Sequence, residues 1–242
     1  MKKLLIFCFV FFGIHYLQAQ ELALPPRIDL FRYSASASGN LNMFEYPNAR
    51  IWGWSTNGKA AYSIERNVDG RGGRIIHFVI ADLITDNTVF ELIMDSFDYD
   101  TYGDDYSYED LYHIYGPFIS DALQAHNIVL GQTNDFMSFP FRRNNMTFNS
   151  QIIDIEYVRD GAGMFEQAVS RYQVLVTADN RRKIIASLTP VSGVTGYTYI
   201  CGYFLSPFEN RIMAVVAEEA WGYEGTRLNF RFIGCHLGVG FN

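Results

Sequence analysis

The chain has 242 residues, 49% of them hydrophobic and 16% aromatic, and a formal net charge of −7. An acidic chain without a basic block is a poor partner for nucleic acid or for an anionic lipid surface, so those classes drop out first. The length suits one domain or two small ones, enough to bury a core.

The first nineteen residues stand apart from the fold. Lys2 and Lys3 form a positive n-region, Leu4 to Ile14 an apolar run, and Leu17-Gln18-Ala19 offers a small residue for cleavage before Gln20. This is the pattern of a secretory signal peptide over 1–19. The run is short for a bilayer span, which ranks an N-terminal anchor behind it. Cys8 has no small residue before it and does not look like a lipoprotein cysteine. Cleavage would leave 17 of the 19 basic residues against 26 acidic ones, a net charge of −9. The expectation is a periplasmic or extracellular protein with no transmembrane segment after cleavage. Residues 20–242 read as a single β-rich domain, with possible sub-units at 40–94 and 150–242 joined by a helical and loop segment over 95–149.

Residues 21–39 form an exposed lead-in. Asn40 to Tyr46 reads as an edge strand ended by Pro47. Strands follow at Ile51–Trp54, Ala60–Glu65, Arg74–Asp82 and Val89–Met94, with Asn57-Gly58 a hairpin signal between the first two. The third, nearly all apolar, is expected to be central and buried on both faces. Glu109 to His126 carries the i, i+3, i+4 period of a helix in Leu111, Ile114, Tyr115, Phe118, Ile119 and Ala122. Ser107 with Asp110 resembles a capping box. Gly116-Pro117 predicts a kink or two short helices. Ile128 to Asn149 is irregular. Strands return at Gln151–Val158, Met164–Ala178 and Ile184–Leu188, the last entered through a basic tip at Arg181-Arg182-Lys183.

The closing stretch, Tyr197 to Phe232, reads as strand, turn, strand, loop, strand, and the chain is organised around it. Ile51 to Glu65 is a shorter version. Both copies run aromatic or Cys, Gly, aromatic, then Ser, a tight turn, a basic residue, an apolar strand and a Glu. The fold class is therefore mainly β with one helical segment at about 108–126, built as blade-like antiparallel sheets or, alternatively, as a β-sandwich.

The acidic, Tyr-rich stretch Asp95 to Asp110 admits two readings. One is a solvated loop that caps the helix. The other is calcium: Asp98, Asp100, Gly103 and Glu109 fall at positions 1, 3, 6 and 12 of an EF-hand-type loop, with Asp104 offering its carbonyl. Tyr102 stands where another oxygen ligand is expected. No other cofactor is suggested. Cys201 and Cys235 are the two cysteines beyond the leader. Export permits a disulfide between them, and two buried free thiols are the equal alternative.

Ser206-Pro207-Phe208-Glu209-Asn210-Arg211 resembles the Ser-Pro-Asp-Gly-Lys turn of propeller-type blades, and Ser55-Thr56-Asn57-Gly58-Lys59 is a weaker version. With the leader, the central helix, Gly202-Tyr203 and Gly222-Tyr223-Glu224-Gly225, the layout looks like a bacterial family of predicted secreted proteins with no assigned function. That resemblance implies export and a β-rich fold, and no catalytic residues. A blade takes about 40–45 residues, so two such motifs do not make a closed propeller.

No nucleophile elbow, zinc-protease helix, phosphate loop or dinucleotide fingerprint is present in the sequence. His77, His113, His126 and His236 are too scattered to suggest a metal site. The residues point to a non-enzymatic binding or envelope-associated module, its partner an unidentified protein or envelope component. The alternative is a secreted hydrolase of carbohydrate or peptide using loop carboxylates near Asp69, Asp104 and Glu224.

Overall fold

A computed structural model describes residues 22–30, 43–45, 47–68, 72–99, 106–131, 135–159, 167–221 and 226–242. The leader, Asp69 to Arg71, Asp100 to Asp105, the Asp160 to Met164 stretch and the Gly222 to Gly225 bend lie outside the described residues. In chain order the strands are β1 (Ile28–Asp29), β2 (Met43–Glu45), β3 (Asn48–Trp54), β4 (Lys59–Asn67), β5 (Arg74–Asp82) and β6 (Asn87–Asp95). Helix α1 (Tyr108–Ala125) comes next. Then follow β7 (Val129–Leu130), β8 (Phe141–Arg143), β9 (Met146–Val158), β10 (Ala168–Ala178), β11 (Arg181–Leu188), β12 (Thr198–Leu205), β13 (Arg211–Trp221) and β14 (Thr226–His236).

The protein is mainly β, and its strands form three sheets. The first runs β1-β3-β4-β5-β6, with β7 beside β3; the middle one runs β12-β13-β14-β2; the third runs β11-β10-β9-β8. Neighbours are antiparallel except β14 and β2. No sheet closes into a barrel. The layers are read from what packs against what. On the outer face of the first sheet, Leu111, Tyr112 and Ile119 of α1 meet Trp52, Phe78 and Ile80. On its inner face, Trp54 and Val79 meet Phe204, Met213 and Val215 of the middle sheet. The opposite face of the middle sheet packs Val216 and Ile233 on Tyr172 and Val174 of the third. The order is helix, sheet, sheet, sheet.

The strand buried on both faces along its length is thus β13, while β5 is so buried only from Phe78 to Ala81. Every residue from Ile212 to Ala220 is buried, Glu218 and Glu219 included. On β5, Ile76, Phe78 and Ile80 are covered by the helix, while Ile75 and His77 on the inner face are only half-buried. The middle sheet stops short of them.

The two sequence copies share one geometry. Each hairpin, β3–β4 and β12–β13, carries a bulge just before its glycine, Gly53 or Gly202. Each turn is folded by a buried serine: Ser55 Oγ accepts from Lys59 N at 2.9 Å, and Ser206 Oγ accepts from Glu209 N at 3.2 Å. A Cβ on Gly53 would lie 2.1 Å from the Val129 carbonyl, and one on Gly202 would lie 2.3 Å from the Met137 carbonyl. The glycines admit a crossing segment, β7 in one copy and the Met137 bridge in the other.

Helix α1 runs unbroken through Pro117, so the chain forms one helix here and not two short ones. Pro117 lies on the exposed side, as does His113, whose carbonyl loses its partner and faces water instead. The capping box is complete: Ser107 Oγ accepts from Asp110 N at 3.1 Å, and Asp110 Oδ2 accepts from Ser107 N at 2.9 Å. Two alanine substitutions separate packing from propensity. Gly202→Ala should lower stability by about 1–3 kcal/mol through overpacking. Gly116→Ala, where nothing lies within 4 Å of the added methyl, should raise it by about 0.5–1 kcal/mol. Urea midpoints of the two variants check both signs.

Candidate functional site

Asp98 ends a short 3-10 turn, Ser96–Asp98, and Glu109 sits in the first turn of α1. Asp100 and Asp104 lie outside the described residues. Glu109 Oε1 is 3.0 Å from Arg27 Nη2 and 3.2 Å from Arg50 Nη2, so two guanidinium groups already claim it. Among the described residues no three His, Cys, Asp or Glu side chains are grouped to hold a metal. Cys201 and Cys235 are free and buried. They occupy β12 and β14, with β13 between, and belong to cores on opposite faces of the middle sheet. Burial pushes their thiols up to about 12 and about 11, so neither is a reactive thiolate.

The densest charge cluster is a clamp. Glu65, fully buried on β4, takes Arg50 Nε at 2.5 Å and Arg27 Nε at 2.6 Å. Arg50 also donates to the Pro25 carbonyl. Beneath it, Trp52 Nε1 donates to Ser63 Oγ at 3.0 Å, and Ser63 Oγ lies 2.6 Å from Tyr112 Oη. Two arginines and two glutamates neutralise one another while tying the lead-in, β3, β4 and α1 together. A charge left alone there would be buried without compensation. Glu65→Leu should therefore destabilise by about 3–5 kcal/mol, and adding Arg50→Met should recover most of the loss. Equilibrium urea unfolding of the single and double variants measures the recovery.

A different place is built to receive something. Beyond the edge of β14 the inner face of the first sheet is uncovered, and a groove of about 490 Å³ opens there. Its floor is Tyr62, Ile64 and Val79; its wall is β14 from Leu228 to Ile233; the end of β11 closes it at Ala186 and Leu188. Tyr62 stacks on Phe232 with ring centroids 4.1 Å apart. Burial and then the Glu91 carboxylate raise the Tyr62 phenol far above its usual value, so it stays neutral.

The polar lining comes from both sides. On β5, His77 Nε2 lies 3.0 Å from Arg66 Nη2, and its Nδ1 lies 3.4 Å from Glu91 Oε1. Arginine can only donate, so Nε2 accepts and Nδ1 carries the hydrogen toward Glu91. Both ring nitrogens are engaged, which suits recognition better than proton transfer. On β14, Arg231 Nε stands 3.9 Å from the buried Glu218, whose oxygens accept from Tyr172 Oη at 2.6 Å and Val191 N at 2.8 Å. Asn229, the cross-strand neighbour of Glu218, is 7% exposed, and its Nδ2 has no hydrogen-bond partner. A buried amide donor left unpaired costs about 1–3 kcal/mol.

None of this was legible in the sequence reading, which placed its sites in loops. Arg66, His77 and Arg231 are spread over 166 positions, and only the layering brings them to one groove. The single sequence signal is a run of polar residues, Asn229 and Arg231, at alternate positions of an otherwise apolar strand.

Burial, and then Arg66, hold His77 below its ordinary value of 6.5. Below that pH the unfolded chain takes up a proton that the folded chain refuses, so stability falls as pH drops from about 6.5. His77→Gln removes this loss. Between pH 7.5 and 5.5 the stability of the wild type should fall relative to the variant by up to about 1 kcal/mol, measured from urea midpoints at both pH values. Compared with protein-family models, with curated proteins and with solved structures, the chain finds no match in any of the three.

Proposed function

We propose that the protein is an exported binding module and that the groove beside β14 is its ligand seat. The export half of the proposal rests on the leader pattern over 1–19. The binding half rests above all on the uncovered groove itself, whose lining includes Asn229, an amide nine-tenths buried and without a hydrogen-bond partner at Nδ2 among the described residues. Around it stand an aromatic stack, two arginines and a glutamate, a mixture that orients a ligand carrying both apolar and oxygen-acceptor groups. The volume falls within the range of about 300–1,000 Å³ typical of ligand sites. His77, the one imidazole in the lining, has each nitrogen committed to a neighbour. The partner is a protein or an envelope component that presents such a ligand.

Backbone amide shifts of the mature chain test the location. Pools of short peptides, simple carboxylic acids and oligosaccharides are titrated into ¹⁵N-labelled protein. At least one pool should move the amides of His77, Glu91, Arg231 and Phe232 and leave those of α1 in place. Saturating pools that move none of these amides, or that move only a distant surface, would overturn the proposal.

A further inference from the structure

The wall of the groove is a strand edge. Six consecutive residues of β14, Leu228 to Ile233, line it. Side chains of a strand alternate between its two faces, so one face supplies only every second residue. The cavity therefore runs along the edge of the strand and reaches both faces. Gly234 sends its N–H outward to Asp86 Oδ1 at 2.7 Å, whereas Leu237 sends its N–H inward to the Asn210 carbonyl at 2.8 Å. The antiparallel alternation then turns the N–H and C=O of Phe230 and Phe232 outward too, away from β13. No strand of the described residues pairs with them there: β2 reaches only Thr226 and Arg227. The open stretch from 228 to 233 is about 20 Å long.

We infer that this edge takes an extended peptide segment of alternating apolar and acidic residues by strand addition, an inference that rests on the groove being the ligand seat. The two faces of β14 dictate the alternation. Phe230 and Phe232 point toward the first sheet, where Tyr62 and Ile64 give an apolar bed. Asn229 and Arg231 point the other way; Arg231, one-third exposed, is the donor on that face, with Glu218 3.9 Å behind it and the Thr189 carbonyl 3.5 Å from its Nη2. An added strand lays apolar side chains on the first bed and carboxylates over the second, while its backbone pairs with Phe230 and Phe232. The occupant is a single strand, not the sheet edge of a second copy. The edge is closed at one end by β2 and at the other by Asp86, and it is recessed between β6 and β11. A strand that brings its own neighbours has no room there.

The probe is Ac-Val-Glu-Val-Glu-Val-NH2, measured by calorimetry against the mature protein. It should bind, and Ac-Val-Lys-Val-Lys-Val-NH2 should bind at least tenfold more weakly. N-methylation distinguishes backbone pairing from side-chain contact. Methyls on one of the two alternate sets of amides should weaken binding tenfold or more, and methyls on the other set should be tolerated. Arg231→Gln should weaken the acidic peptide and leave Ac-Val-Gln-Val-Gln-Val-NH2 unchanged. Equal binding of both methylated forms, or no heat at millimolar peptide, overturns strand addition. So does a concentration-dependent dimer that protects the amides of Phe230 and Phe232. If small acids or sugars still move the groove amides in that event, the ligand seat stands and only the peptide falls; if nothing moves them, both fall.

Discussion

The middle sheet must be covered on both faces, and the rest of the fold answers that requirement. Strand β13 buries nine consecutive residues, Ile212 to Ala220. A strand apolar on both sides has no face to offer to water, so it needs a sheet above and a sheet below. The first sheet supplies one cover through Trp54 and Val79, and the third supplies the other through Tyr172 and Val174. Covering the middle sheet leaves the outer face of the first sheet still apolar. Helix α1 closes that last face with Leu111, Tyr112 and Ile119. The clamp around Glu65 then fixes the helix to β3 and β4. Each layer exists because the one before it has a face left over.

Local chemistry carried much of this into the sequence. The Ser-turn motifs at Ser55 and Ser206, the glycines of the two bulges and the Ser107–Asp110 cap are set by residues a few positions apart, and pattern reading reaches them. The strands at 51–54, 60–65 and 74–82 were legible for the same reason, by alternation and turn residues. That the helix continues through Pro117 was not legible, because the cost of a proline depends on which side of the helix meets water, a tertiary fact. Double burial was expected of β5, where it holds only from Phe78 to Ala81, and it runs the length of β13, since only the stacking order tells two apolar runs apart. The groove was out of reach altogether. It is a gap between a covered and an uncovered part of one sheet face, and no residue marks where a neighbouring sheet will end.

Edge strands left open are a hazard, and proteins commonly blunt them. Here the protection is uneven. On β11, the outer edge of the third sheet, Asn242 exchanges both backbone bonds with Arg182, and Lys183 reaches the carbonyl of Val239 at 3.0 Å. On β14, β2 guards one end and Asp86 the other. Among the described residues the centre of β14 has neither a covering segment nor a lysine pointing outward. Recession between two sheets shields it. That shield stops a broad sheet edge and admits a narrow strand, which is a filter rather than a block.

The groove also owes its polarity to the core behind it. Glu218 and Glu219 are neighbours on β13, so they point to opposite faces. Glu219 faces the first sheet; burial raises its carboxyl above the ordinary value, and its Oε2 has no hydrogen-bond partner. Glu218 faces the third sheet, where Tyr172 and Val191 satisfy both oxygens. Glu218 stands 3.9 Å from Arg231 at the rim. A buried anion held by two donors steadies an arginine that is one-third exposed, and a steadied side chain loses less entropy when a ligand arrives. Asn229, the cross-strand neighbour of the same glutamate, has no hydrogen-bond partner at Nδ2 among the described residues. One buried carboxylate in the core thus accounts for the place that Arg231 takes on the β14 wall.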